Sequence, residues 1–314
     1  MEKDDLDVPI MTTHIVTITD KFRNSYEGQL VNDLKQGVGC YQIFGGKISY
    51  DGDWANDKKQ GKGVFIYKDG SSYSGNFHFD KRDGYGVYEY PLNSDGYIYK
   101  GNWQKDKRHG QGVLLFKNGS EYTGQWQNNM KNGYGKSKAA DETIYEGDWK
   151  NNVRHGQGRL VSENQFSYEG LWENGVRHGH GILSYKNGSL YTGNFELNQK
   201  SGYGEMVYPD GSIYRGNWDN NLRSGKGVLT YEDGSEYSGN WKRDKRDGVG
   251  TFSVNGFGVY QGVWRENFPN GAGKMSYNGI GETYEGDWKD GKRYGKGIYT
   301  YSDNLFKDSD NWCE

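Results

Sequence analysis

The chain has 314 residues, 32% of them apolar, with 42 acidic against 39 basic residues and a formal net charge of −3. That balance excludes a nucleic-acid binder driven by excess positive charge, and two cysteines are too few for a disulfide framework, so a reducing compartment is expected. A mean hydropathy of −1.04 would suit a disordered chain, but 16% aromatic residues and near-neutral charge oppose that. Residues 1–24 are expected to form an N-terminal edge cap. They begin Glu2-Lys3-Asp4-Asp5-Leu6-Asp7 without a basic-then-apolar pattern, so no signal peptide is expected. Ile15–Thr19 reads as a strand shielding the open edge of the first hairpin, or adding to a partner's sheet. No apolar run in the chain reaches the roughly 18 residues of a spanning helix.

Residues 25–301 are one pattern repeated twelve times. Each copy opens on a Tyr (Tyr26, Tyr50, Tyr73, Tyr99, Tyr122, Tyr145, Tyr168, Tyr191, Tyr214, Tyr237, Tyr260, Tyr284), with Gly two residues on and, in most copies, Trp two further. A Gly-x-Gly pair comes next, its first Gly always 11 residues after the Tyr. Seven consecutive steps, from Tyr99 to Tyr260, are 23 residues each. A fixed period in this range marks an array of one supersecondary unit.

Spacing of two sets the unit. Tyr145, Gly147 and Trp149 share one face of a strand, and Glu146 and Asp148 point the other way. Gly156 and Gly158 open the returning strand. Glycine is a poor strand residue, so its recurrence is read as slots in which neighbouring Tyr and Trp rings lie flat. After the second strand, Asp69-Gly70, Asn118-Gly119, Asn187-Gly188, Asp210-Gly211 and Asp233-Gly234 are turn dipeptides. The fold expected is all-β: an elongated, twisted, single-layer antiparallel sheet of tandem hairpins. Residues 302–314 read as a degenerate C-terminal cap around Phe306 to Trp312.

The residues carrying the pattern, above all Tyr-Glu-Gly-Asp-Trp at 145–149 and 284–288 with Gly-x-Gly downstream, resemble the MORN (membrane occupation and recognition nexus) repeat. The resemblance spans about residues 26–301. Departures are Leu30, Phe77 and Phe195 at the Trp position, and Leu171 and Val263 where most copies have Asp, Asn or Gln.

Chemistry-bearing clusters are sparse. His109, His155 and His178 occupy one repeat position but recur about 10 Å apart by strand spacing, too far to share a metal, and read as exposed turn residues. The Gly-x-Gly pairs close hairpins and do not open helices, so they are not phosphate cradles. No catalytic residue, metal site or cofactor is expected, and the chain is not expected to be an enzyme. The main polar signal is a cation two residues before the Gly-x-Gly pair in eleven copies, namely Lys35, Lys59, Arg82, Arg108, Lys131, Arg154, Arg177, Lys200, Arg223, Arg246 and Arg293. It reads either as a basic stripe for an acidic partner or anionic lipid, or as cations neutralised by strand carboxylates. Irregular copies offer apolar partner patches: Phe166 and Leu171 in the seventh, and Phe257, Val263, Phe268 and Pro269 around the eleventh.

The resemblance implies a non-catalytic scaffold. Proteins of this resemblance that are array from end to end occur in radial spoke heads of cilia and in cortical cytoskeleton. A cytoplasmic, cytoskeletal place in the axoneme is therefore expected, with other proteins of a large assembly as partners and the array ends as the route to any homo-oligomer. The alternative is a membrane-apposed adaptor binding anionic phospholipid through the basic ladder.

Overall fold

In each copy a seven-to-nine-residue strand bearing Tyr-x-Gly-x-Trp meets a returning strand of nine or ten residues, as Ile213–Asp219 meets Leu222–Thr230. Side chains alternate along both strands. Tyr214, Gly216 and Trp218 are buried, and Arg215 and Asn217 are exposed. The fold is all-β, built of tandem antiparallel hairpins. The computed structural model describes residues 14–43, 45–163, 165–279, 281–302, 307–308 and 311–312. The acidic stretch Glu2 to Asp7 and Cys313 lie outside these residues, and the degenerate copy from Phe306 to Trp312 is described only at its two short strands.

Contacts divide the chain into two units, Met1–Val153 and Arg154–Glu314. In the first, strand His14–Thr19 pairs with Ser25–Val31, and hairpins succeed one another in sequence order to strand Ile144–Lys150. In the second, the run goes from Val153–Ser162 to Lys292–Thr300, against which Lys307–Asp308 and Asn311–Trp312 both pair.

Two turns alternate. The one inside each copy has two residues in the left-handed region, such as Asn220 at φ 50° and Asn221 at φ 70°. This is the type I′ geometry that matches strand twist. It accepts Phe79, Lys105, Leu197, Arg243 and Glu266 at its first position despite their side chains. Sequence reading placed the tight turns only between copies, at Asp-Gly and Asn-Gly. There the Gly alone has positive φ, 82° at Gly70 and 84° at Gly119, and the preceding Asp or Asn caps a Ser two residues on.

The slot picture needs correction. In the third copy Gly75 faces Gly86, and a Cβ on Gly86 would come within 2.4 Å of the Tyr73 ring. The ring held against glycine is thus the copy's own Tyr. The Trp stands edge-on: Trp241 meets Tyr237 at 5.2 Å and Tyr214 of the preceding copy at 5.3 Å, the planes nearly perpendicular, in the favoured T-shaped arrangement. Leu114, Leu160, Leu183, Met206, Leu229 and Met275 complete the core from the returning strand.

The first Gly of each pair has a different role. Between Gly216/Gly227 and Trp218/Arg223 the register shifts by a bulge, leaving Asn217 opposite Ser224, Gly225 and Lys226. Gly225 takes φ 62° there, and its counterpart Gly156 also takes 62°. Gly156 therefore answers to a left-handed φ, a backbone requirement that the slot reading did not include. The Asn217 carbonyl accepts the Tyr214 hydroxyl at 3.0 Å, and the corresponding bond occurs in all twelve copies, including Tyr145 to the Asp148 carbonyl at 2.8 Å.

Candidate functional site: the aromatic face and its cation ladder

The aromatic face is where charge, rings and the irregular copies meet. Register places nine of the ladder cations across from their own copy's Trp or Phe, as Arg223 across from Trp218, and Lys35 across from Leu30, so these side chains emerge on the ring face. From there they reach forward onto the next copy. The Arg223 guanidinium carbon lies 4.2 Å from the Trp241 ring centroid and 5.6 Å from Tyr214. The Arg82 carbon lies 4.1 Å from Trp103, and the Lys200 ammonium 4.3 Å from Trp218. All eleven cations lie over aromatic rings within cation–π range. Ten are half-buried and Lys200 is buried.

The next copy's tight turn also binds the cation. The Arg223 amide donates to Asp244 Oδ1 at 2.8 Å, the Asp244 amide returns a bond to the Arg223 carbonyl at 3.0 Å, and Arg223 Nη2 donates to the Asp244 carbonyl at 2.9 Å. Lys35, Lys59, Arg82, Arg108, Lys131, Arg177, Lys200 and Arg246 donate their amides to Asp or Asn in the same way. Carboxylates of the turns, and not of the strand faces, therefore neutralise Lys35, Lys59, Arg82 and Arg223. The ladder is a set of clamps between successive copies, and an open basic stripe at these eleven positions is not what the geometry provides. Exposed basic residues stand beside several of them, at Lys81, Lys107, Lys245 and Lys292.

Burial moves the titrations. Desolvation pushes the Lys200 ammonium down to about 8. It pushes the core phenols of Tyr122, Tyr168, Tyr237 and Tyr260 up to about 12.

In the sixth copy Tyr145 is fully buried, and Trp149 donates Nε1–H to the Gly135 carbonyl at 3.0 Å. Gly147 pairs with Gly135, and Gly158 pairs with Gly170 while accepting the Trp172 indole at 3.0 Å. The histidines differ from the exposed turn residues expected. Of these three, His109 and His155 are half-buried on strands with Nδ1 shut from solvent, and His178 is exposed, 3.5 Å from Glu173. Among the described residues no group of His, Cys, Asp and Glu has metal-ligand geometry, and no helix is long and apolar enough to cross a membrane.

The apolar patches separate onto two faces. Phe257, Phe268 and Pro269 line one cavity of about 590 Å³ on the aromatic face, with Tyr260, Met275 and Trp288. Val263 pairs with Val249 on the opposite face, both exposed. Leu171 is likewise on that opposite face against Gly179, and Phe166 lies under Arg177. The cavity's signal in the sequence was Pro269, the one copy of twelve without a cation. What could not be read was that the missing cation would uncover a ring.

The model of the MORN repeat matches twelve times, at residues 26–46, 50–72, 73–91, 99–121, 122–143, 145–165, 168–190, 191–213, 214–236, 237–258, 260–279 and 284–306. No curated protein matches. Among solved structures, the TCP10 domain of Danio rerio CPAP in complex with a STIL peptide aligns over 72% of this chain and 94% of its own, at 11% identity and TM-score 0.35. The Drosophila melanogaster SAS-4 TCP domain with a proline-rich motif of Ana2 aligns over 46% and 79%, at 18% identity and TM-score 0.30. A streptogramin B lyase aligns over 90% and 92%, at 13% identity and TM-score 0.14. These superpositions are too loose to carry an argument about what this chain binds. Twelve matched copies that tile the sequence from Tyr26 onwards, each with its Tyr, Gly and Gly-x-Gly in register, place the chain in the MORN repeat family.

Proposed function

We propose that the protein is a non-catalytic scaffold that holds partner proteins along its repeats within a cytoskeletal assembly, the ciliary axoneme and its radial spoke head being the specific assembly inferred. Family membership makes the chain an interaction module, toward protein or toward membrane. The observation that favours protein is the inward turn of the ladder. All eleven cations are engaged by rings of their own array. A lipid headgroup would have to compete with those rings for each charge, giving up most of the roughly 1 kcal/mol that a free surface cation contributes at a membrane.

The test is fractionation of tagged full-length chain from its native cell. Retention with the detergent-resistant axoneme or cytoskeleton, with partners in fixed ratio, is the expected result. Recovery with detergent-soluble membranes, released by high salt, would make the lipid adaptor the correct reading instead.

A further inference from the structure

We propose that the cavity between the eleventh and twelfth copies is a docking site for a partner polypeptide that presents a large apolar side chain flanked by carboxylates. The proposal rests on the scaffold reading above and gives one site of that scaffold a partner chemistry.

The site arises from an interruption of the ladder. Eight other described tryptophans each carry a cation of the preceding copy within 5.2 Å of the ring centroid, and all eight are buried. Trp288 is the exception. Pro269 stands where its cation would be, and among the described residues no cation lies over the Trp288 ring. Trp288 is only half-buried, although Tyr284 of the same copy is completely buried. The twelfth copy is therefore packed, and what it lacks is the cover on its Trp.

A second change accompanies the first. In nine copies the cation's amide is taken by Asp or Asn at the second turn residue of the next copy, but Pro269 has no amide hydrogen to donate. Gly291 occupies that turn position, without a side-chain acceptor, and keeps only its own amide bond to the Pro269 carbonyl at 3.0 Å. A Gly at this turn position does not by itself remove the cation, since Gly175 stands in the same place against Arg154, and at Pro269 the turn remains intact.

The opening measures about 590 Å³, room for a large side chain with adjoining backbone. Its floor is Tyr260, Met275 and Trp288, and its rim carries Phe257 and Phe268, which are 56% and 53% exposed. Two phenylalanines this open beside an uncovered Trp form the kind of apolar patch that marks an interaction site. Charge selects the occupant. Lys292, exposed, lines the cavity beside the ring-stacked Arg246 and Arg293, whose positive charge remains, and among the described residues no carboxylate lines it. A basic segment is repelled there, and an acidic one is steered and held in register. The apolar anchor takes the place over Trp288 that the cation fills in other copies.

The test uses the full chain and four labelled peptides: Glu-Glu-Phe-Glu-Glu, its counterparts with Gln or Lys in place of Glu, and one with Ala in place of Phe. Fluorescence anisotropy is expected to show saturable binding of the first, weakened at least about tenfold by each replacement, a difference of about 1.4 kcal/mol. Pro269→Arg restores the cation in cis and is expected to abolish binding while circular dichroism and melting temperature hold. Should that variant fold poorly, Phe257→Ser with Phe268→Ser, both at exposed positions, gives the same expected loss.

No saturable binding of the acidic peptide, equal binding of the Lys peptide, or equal binding by Pro269→Arg would each overturn the proposal. So would capture of phosphatidylserine vesicles by the natural chain and not by Pro269→Arg, which would assign the cavity to lipid. Fractionation reads where the whole chain resides and this titration reads one cavity, so the scaffold reading and the site can fail separately.

Discussion

A methyl group added to Gly63 would come within 2.5 Å of the Tyr50 ring, whereas at Gly70, seven residues away, it would meet nothing within 4 Å. Both positions carry the same residue for different reasons. At Gly63 the obstacle is space. Gly63→Ala is expected to cost about 1–3 kcal/mol, the range for overpacking a filled core. At Gly70 the obstacle is φ 82°, and Gly70→Ala is expected to cost about 1–2 kcal/mol for placing a Cβ residue in the left-handed region. Chemical denaturation of both variants separates the causes. Gly70→Asn should recover most of the loss, because Asn tolerates that region, and Gly63→Asn should be worse than Gly63→Ala. Equal recovery at both sites would refute the assignment. The recurrence of these glycines was plain in the sequence, but which glycine answers to a ring and which to a dihedral was not. Spacing of two puts Gly225 and Gly227 on one face, and only the bulge opposite Asn217 takes Gly225 out of that alternation.

At the scale of the hairpin, the tight turn is the element least visible in sequence, since it has no fixed residue at its first position. Leu197 is the clearest cost. It sits at φ 48° with its side chain 71% exposed, so it takes the left-handed penalty without packing in return. Leu197→Asn is expected to stabilise the protein by about 1 kcal/mol, read as a higher denaturation midpoint at unchanged slope. A lower midpoint would mean that the leucine packs on something in solution. The cation belongs to the same element. Arg223 stacks on Trp241 and bonds through amide and guanidinium to the Asp244 turn. Arg223→Ala is expected to cost about 1–2 kcal/mol from lost stacking, lost hydrogen bonding and an exposed ring. A cation reserved for an outside partner would leave the melting temperature unmoved. Eleven cations at one position were legible by counting. Their inward direction was not, because it depends on the register shift that sets Arg223 opposite Trp218.

For the molecule as a whole, each copy contributes to a ladder whose stability sums over neighbours, so titrations repeated in every copy add up. The core phenols are the largest such set. Tyr122, Tyr168, Tyr237 and Tyr260 hold their protons to about pH 12 because burial disfavours the phenolate, and Tyr50, Tyr73, Tyr99, Tyr191 and Tyr214 are raised by the same cause. A group whose folded pKa exceeds its unfolded value of about 10 keeps the folded state favoured below pH 10. Above that pH the unfolded chain releases protons that the folded chain retains, and stability falls as pH rises toward 12. Lys200 works the opposite way. Its folded pKa of about 8 lies below the unfolded value of about 10.4, so between those pH values the unfolded state binds more protons and stability rises with pH. Urea midpoints measured from pH 7 to 11.5 are therefore expected to climb slightly above pH 8 and then drop steeply beyond pH 10. Lys200→Met should remove the climb and spare the drop. Tyr237→Phe should make the drop shallower while leaving the climb, since it deletes one raised phenol along with its bond to the Asn240 carbonyl. A profile flat to pH 11.5 would mean that the phenols reach water in the folded array, and the Tyr-on-glycine packing that organises every copy would have to be abandoned.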